Sequence, residues 1–314
     1  MTVVDEDAAA QTGNESEPKV EEKAKPKVQH VRVPLSPGMR LISAVLMTIA
    51  GLAAWLLLFI FVLSGLIEHH AQSVNYSHFR EQAQLGTLHP FGAGTKLHAG
   101  DPVAVISAPA AGLHRVVVVE GTTSGNLEAG PGHLPGTVLP GEAGVSTIMG
   151  RSTAYGAPFK DLTSLKPGDP ITVTTGQGVF QFKVYDLRGP GAKIPGALGT
   201  EQSRLILVTA ARGGWGQFWA PTHAVYVDAT LVGTPVAVAP GSQVVSADAP
   251  MSGDSSALVP LVLWLQGLVL VTTLTAWIGR RWSGRQAWLV GAPVTIALLW
   301  GASSALVRLL PNLT

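Results

Sequence analysis

The sequence predicts an all-β domain, a compact barrel or sandwich, held outside the cytoplasm by three transmembrane helices. Three observations predict it: three long uncharged apolar segments, a chain of short β-rich runs between the first and second of them, and arginines concentrated at particular flanks. Charged residues are only 13% of the 314. That share is low because the apolar segments carry almost none.

Residues 41–66 (LISAVLMTIAGLAAWLLLFIFVLSGL) contain no charge. At about 1.5 Å per residue they exceed the roughly 30 Å of hydrocarbon in a bilayer. The run is too long, and too far from the start of the chain, for a cleaved signal peptide. Residues 257–278 and 286–307 are each about the minimum spanning length. The loop between them, GRRWSGR, packs Arg280, Arg281 and Arg285 together. The positive-inside rule assigns that loop to the cytoplasm, and Arg32, Arg40 and the lysines of the tail assign the N-terminus to the same side. The expected order is a disordered cytoplasmic tail (1–40), a first span (41–66), an extracytoplasmic stalk (67–94) and a β domain (95–232). A linker (233–256), the second and third spans, and an extracytoplasmic end (308–314) complete it.

The tail is polar and mixes both charge signs, as disordered segments do. The stalk has helix-like spacing and is rich in histidine, with His69, His70, His78, His89 and His98 in or near it. No acidic or thiolate partner sits at ligand spacing, so these read as solvated residues rather than a metal site. Strands are expected at 103–108, 114–120, 145–149, 170–175, 179–185, 205–210 and 224–231, with TGQG at 175–178 joining two as a hairpin. Small residues in the later spans (Gly267, Gly279, Gly291, Gly301, Ser303 and Ser304) offer surfaces where helices approach closely. Arg308 is placed to snorkel to the interface. A net charge of +1 leaves no nucleic-acid footprint. The absence of cysteine excludes disulfides and thiol chemistry. Nothing in the chain calls for a cofactor.

Three stretches go further: GPGHLPGTVLPGEAG (130–144), MGRSTAYGAPFKDLTSLKPGD (149–169) and LILVTAARG (205–213). Their order, spacing and wording resemble the sortase family of cell-surface transpeptidases, most of all its class E branch. The resemblance covers roughly residues 95–232. It implies a small closed β-barrel with a groove. In that groove a cysteine attacks the carbonyl after threonine in an LPxTG- or LAxTG-like signal, a histidine serves as acid and base, and an arginine steadies the oxyanion. Such chemistry needs a thiolate, a proton shuttle and a positive donor.

Set against the family pattern, this sequence departs at all three positions. The histidine position is Arg151, the cysteine position is Ala210, and the arginine position falls at His223–Ala224. Thr209 and Ser152 are the neighbouring hydroxyls. Thr209 should face away from Ala210, since successive strand side chains alternate, and no base is suggested beside Ser152. LPGTV at 134–138 fits a sorting signal in part but lies inside the domain, where the family carries a similar PGT.

Two readings follow. One is a catalytically inactive sortase-fold subunit that binds or scaffolds other envelope proteins at the cytoplasmic membrane. The alternative is a transpeptidase with a non-standard nucleophile. For binding, Arg151 and Arg212 could clamp an anion bidentately, such as an anionic lipid or glycan. Tyr155, Trp215 and Trp219, with Phe218, could line an apolar channel or a partner surface.

Overall fold

The computed structural model describes residues 36–88, 97–211, 223–239, 250, 252–281 and 284–309. Contacts divide the chain into two units, 1–48 and 49–314. The described part of the first is the beginning of helix α1 (Pro37–Leu58). The second holds the rest of α1, the β domain and the remaining helices.

A five-residue π-helical turn, Phe59–Leu63, follows α1 and leads into α2 (Ser64–Leu85). The expected span and stalk are therefore one continuous helical run. It stops at Gly86, whose φ of 64° is the left-handed cap geometry that glycine adopts without a Cβ clash. After the β domain come α3 (Leu258–Arg281) and α4 (Gly284–Leu309). Among the described residues, three helical segments are long and apolar enough to cross a membrane: Pro37–Leu85, Ser255–Arg281 and Gly284–Leu309. The protein is a membrane protein with an extracytoplasmic domain.

That domain is a closed eight-stranded barrel in the order β1-β2-β3-β4-β7-β8-β6-β5. Its strands are β1 (Pro102–Ala108), β2 (Leu113–Glu120), β3 (Gly132–His133), β4 (Gly144–Met149), β5 (Pro170–Thr175), β6 (Gly178–Arg188), β7 (Ser203–Ala210) and β8 (Ala224–Leu231). Every expected strand is present. The TGQG hairpin closes with Thr175 paired to Gly178. β3 is the addition, too short at two residues to leave a periodic signal. Pairing of β1 with β5 closes the cylinder, which removes the open edges that would otherwise template aggregation. Inside, residues such as Ile106, Leu113, Ile148, Phe182 and Leu207 form one fully buried core.

The linker between barrel and membrane is fastened at both of its described ends. Val236 makes a β-bridge with Glu142. The fully buried Glu142 carboxylate accepts from the Ala239 amide at 3.0 Å and the Gln177 side chain at 3.0 Å. At the other end the Ser124 amide donates to the Ser252 carbonyl at 3.0 Å, and the Asp254 amide to the Arg308 carbonyl at 2.7 Å.

Candidate functional site

The site grows from the ends of β4 and β7. These strands run parallel, with Met149 opposite Val208, so Arg151, just beyond β4, and Ala210, the last residue of β7, lie at the same end of the sheet. β8 returns antiparallel and pairs Ala224 with Ala210. Arg151, Ala210 and Ala224 are thus brought to one end of three adjacent strands. His223 is exposed there, and its carbonyl accepts from the Ala211 amide at 2.7 Å. Ala210 ends the strand with a methyl group, 8% exposed. Arg212, Trp215, Phe218 and Trp219 lie outside the described residues.

The neighbouring hydroxyls are both spoken for. Thr209 is buried and donates to the Gly150 carbonyl at 3.0 Å, which ties β7 to the start of the Arg151 turn. Ser152 is buried, with its oxygen 3.3 Å from that of Thr153.

Arg151 is only 3% exposed. Its Nη2 donates to the Ser124 carbonyl at 3.2 Å and to the Ser124 hydroxyl oxygen at 3.1 Å. The guanidinium lies 4.7 Å from the centre of the Tyr155 ring, within cation–π range. Its Nε is buried without a partner among the described residues. Burial lowers its pKa to about 10, against the opposing pull of Tyr155 and the Glu128 carboxylate. It stays protonated at neutral pH, where it can donate but not shuttle a proton.

The turn after Arg151 is strained in a way the sequence explains. Tyr155, Gly156 and Ala157 have φ of 49°, 70° and 46°, three consecutive residues in the left-handed region. Only the glycine adopts it freely, and the other two cost about 1–2 kcal/mol each. A side chain at Gly156 would also meet the Glu68 carboxylate of α2, 2.5 Å from its Cβ. The strain is balanced by docking. The Tyr155 amide donates to Ser64 Oγ at 3.0 Å, and the same hydroxyl donates to the Ile60 carbonyl. Tyr155, 1% exposed, packs with Ala154, Phe59 and Val307 into a core that is separate from that of the barrel. Trp300 meets Phe59 edge-to-face, ring centroids 5.5 Å apart.

The Tyr155 hydroxyl donates to Glu128 Oε1 at 2.9 Å. Burial, and then Glu128, push that phenol far above its ordinary range. Glu128 Oε2 accepts from Arg308 Nε at 2.9 Å and Nη2 at 2.8 Å. Arg308, expected to snorkel to the membrane interface, instead reaches the barrel. Ser124 completes the circuit by donating to the Val307 carbonyl at 3.3 Å. The anion clamp expected of Arg151 and Arg212 would need Arg151 at the surface, and the expected channel or partner surface would need Tyr155 there. Both are buried and committed to a joint between the barrel and the end of α4. Sequence reading missed Ser124 and Glu128. The one available signal was an acidic residue in an otherwise uncharged, glycine-rich stretch.

Elsewhere, His133 of the PGH segment is fully buried, with Nδ1 2.7 Å from Glu120 Oε2. LPGTV is structural. The Thr137 hydroxyl donates to the Leu134 carbonyl at 2.7 Å and lies 3.0 Å from His133 Nε2. Among the described residues no group of three or more His, Cys, Asp or Glu is arranged to hold a metal.

Residues 106–230 match the sortase domain family. No curated protein matches the chain. Among solved structures, a Clostridium perfringens sortase D5 transpeptidase is 23% identical, covering 52% of this chain and 99% of its own, with a TM-score of 0.44. The SrtF sortase from Corynebacterium diphtheriae is 22% identical, covering 46% and 93%, with a TM-score of 0.38. A sortase E variant from Streptomyces avermitilis is 28% identical, covering 44% and 91%, with a TM-score of 0.36. The barrel of this chain belongs to the sortase family.

Proposed function

We propose that this is a catalytically inactive sortase-fold protein, acting as an extracytoplasmic binding or scaffolding subunit of a membrane assembly in the cell envelope. The observation that carries this reading is that Ala210 and Arg151 stand where the resemblance calls for a nucleophile and an acid–base histidine. The strand that would present a nucleophile ends in a methyl group in a chain with no cysteine. The position that would hold the acid–base histidine holds a permanently charged donor. With no thiolate and no shuttle, positioning alone has no reaction to accelerate.

In this reading the N-terminus and the arginine loop between α3 and α4 are cytoplasmic. Arg151 and Tyr155 hold the barrel to its membrane helices. Recognition then falls to Arg212, Trp215 and Trp219, on the segment that follows β7, with an envelope protein, an anionic lipid or a glycan as ligand.

The test is direct. The full-length protein in mild detergent should cleave neither LPxTG nor LAxTG peptides, and hydroxylamine should release no acyl product. Turnover above a no-protein control, abolished by Thr209→Ala or Ser152→Ala, would establish the alternative of a non-standard nucleophile. Affinity purification of the full chain should recover an envelope component that Trp215→Ala and Trp219→Ala release.

A further inference from the structure

The small residues that suggested helix contacts are used up inside the chain. A Cβ at Gly301 would lie 2.6 Å from the Trp264 indole, one at Gly291 2.5 Å from Thr275, and one at Gly267 3.1 Å from Leu298. Ser303 accepts from the Trp55 indole at 3.1 Å. α3 and α4 therefore pack on each other through these faces, and the opposite face of α3 is left over.

That face is not plain lipid-facing surface. Val262, Leu265, Gln266, Val269, Leu270 and Thr273 form a shallow groove along it. Their spacing is that of one helical stripe. Thr275, which meets α4, is nine residues beyond Gln266. At about 100° per residue that is the opposite side of the helix. Gln266 is exposed on the stripe, and its amide has no hydrogen-bond partner among the described residues. It stands near the middle of the span, about 13 Å from one end and 18 Å from the other at 1.5 Å per residue. Hydrocarbon offers no partner to an amide, so polar side chains at this depth face a helix bundle or a cavity.

We propose that this stripe is a transmembrane docking surface for α3 of a second copy of the chain, with Gln266 hydrogen-bonded to its own counterpart. An amide is donor and acceptor at once, so it is complementary to itself. Two copies inserted with the same topology are related by an axis along the membrane normal, which brings equivalent residues to the same depth. A different protein would need a polar group at that depth independently. The stripe carries no charge, so the self-contact involves no like-charge repulsion. Thr273, two helical turns along, lies on the same stripe. This inference does not depend on what the barrel binds.

The test uses full-length protein in palmitoyl-oleoyl phosphatidylcholine vesicles. Because the chain has no cysteine, single introduced cysteines report cleanly. Val262→Cys, Val269→Cys and Thr273→Cys should form disulfide-linked dimers on oxidation, and Val271→Cys, turned towards α4, should not. Energy transfer between copies labelled at Ser16→Cys should show saturable association. Gln266→Leu should weaken it about 3- to 30-fold, the range for one interhelical hydrogen bond. Gln266→Asn, which keeps an amide, should retain more of it. Leucine is at home in lipid, so loss of folding does not confound the result, and unchanged barrel melting verifies this. Monomer at every dilution, crosslinking as strong at Val271→Cys as on the stripe, or association indifferent to Gln266→Leu would each overturn the proposal.

Discussion

Replacing Glu128 by alanine should free the barrel from the end of α4 and raise amide exchange across residues 151–159 by about 100-fold. Glu128 is 4% exposed and receives the Tyr155 hydroxyl and both Arg308 donors. Its loss strands a buried phenol and removes the counter-charge from the buried Arg151. Breaking a buried pair costs about 3–5 kcal/mol. Arg308 is 44% exposed and can turn to solvent, so the expected cost is nearer the lower figure, about 3 kcal/mol. Glu128→Gln keeps an acceptor for Tyr155 and should cost about half as much. Arg151→Met should cost about 1 kcal/mol or less, because it removes a buried charge and leaves Glu128 paired with Arg308. That ordering distinguishes a joint built around Glu128 from one built around Arg151. Hydrogen exchange on the full-length protein reads it. Equal protection in Glu128→Ala and wild type would show that the apolar contacts of Tyr155 hold the joint alone.

The barrel was legible because its signals are local. β5 and β6 could be read from PITVTT, TGQG and VFQFKVY without knowing what they packed against. The opposite is true of the joint. Arg151 reaches Ser124 across 27 residues, and Arg308 reaches Glu128 across 180. No periodicity encodes such a meeting. Arg151 looked like a groove residue because the resemblance places a groove histidine at its position, while the contacts with Ser124 and Tyr155 that bury it left no local signal. The glycines of α3 and α4 announced close approach correctly, but not that the approach is mostly between those two helices. Gln266 drew no attention because one amide in an apolar run scarcely alters hydropathy. Its meaning depends on which face is left over once α4 is in place.

Substitution of Glu120 by alanine should lower the barrel's melting temperature by about 10–15 °C, from a loss of about 3–5 kcal/mol. Glu120 ends β2 and His133 forms half of β3, and both are essentially inaccessible to solvent. The hydrogen-bond roles can be worked out. Thr137 gives its one proton to the Leu134 carbonyl, so it accepts from His133 Nε2, which also faces the Val138 carbonyl at 3.0 Å. Nε2 therefore carries hydrogen. Nδ1 either donates to a Glu120 carboxylate or accepts from a protonated one, and the pair is neutral in both cases. Alanine leaves a buried ring nitrogen, or a whole buried cation, without a partner. Glutamine offers an amide N–H to a neutral Nδ1 at nearly the same place. Glu120→Gln should therefore cost only about 1 kcal/mol, the scale of one ordinary hydrogen bond. Thermal melting of the three full-length proteins in one detergent compares them. Equal losses in Glu120→Ala and Glu120→Gln would mean that the charge, not the hydrogen bond, is what β3 requires. In that case the pair is an imidazolium and a carboxylate, and this two-residue strand is held in the barrel by an ion pair.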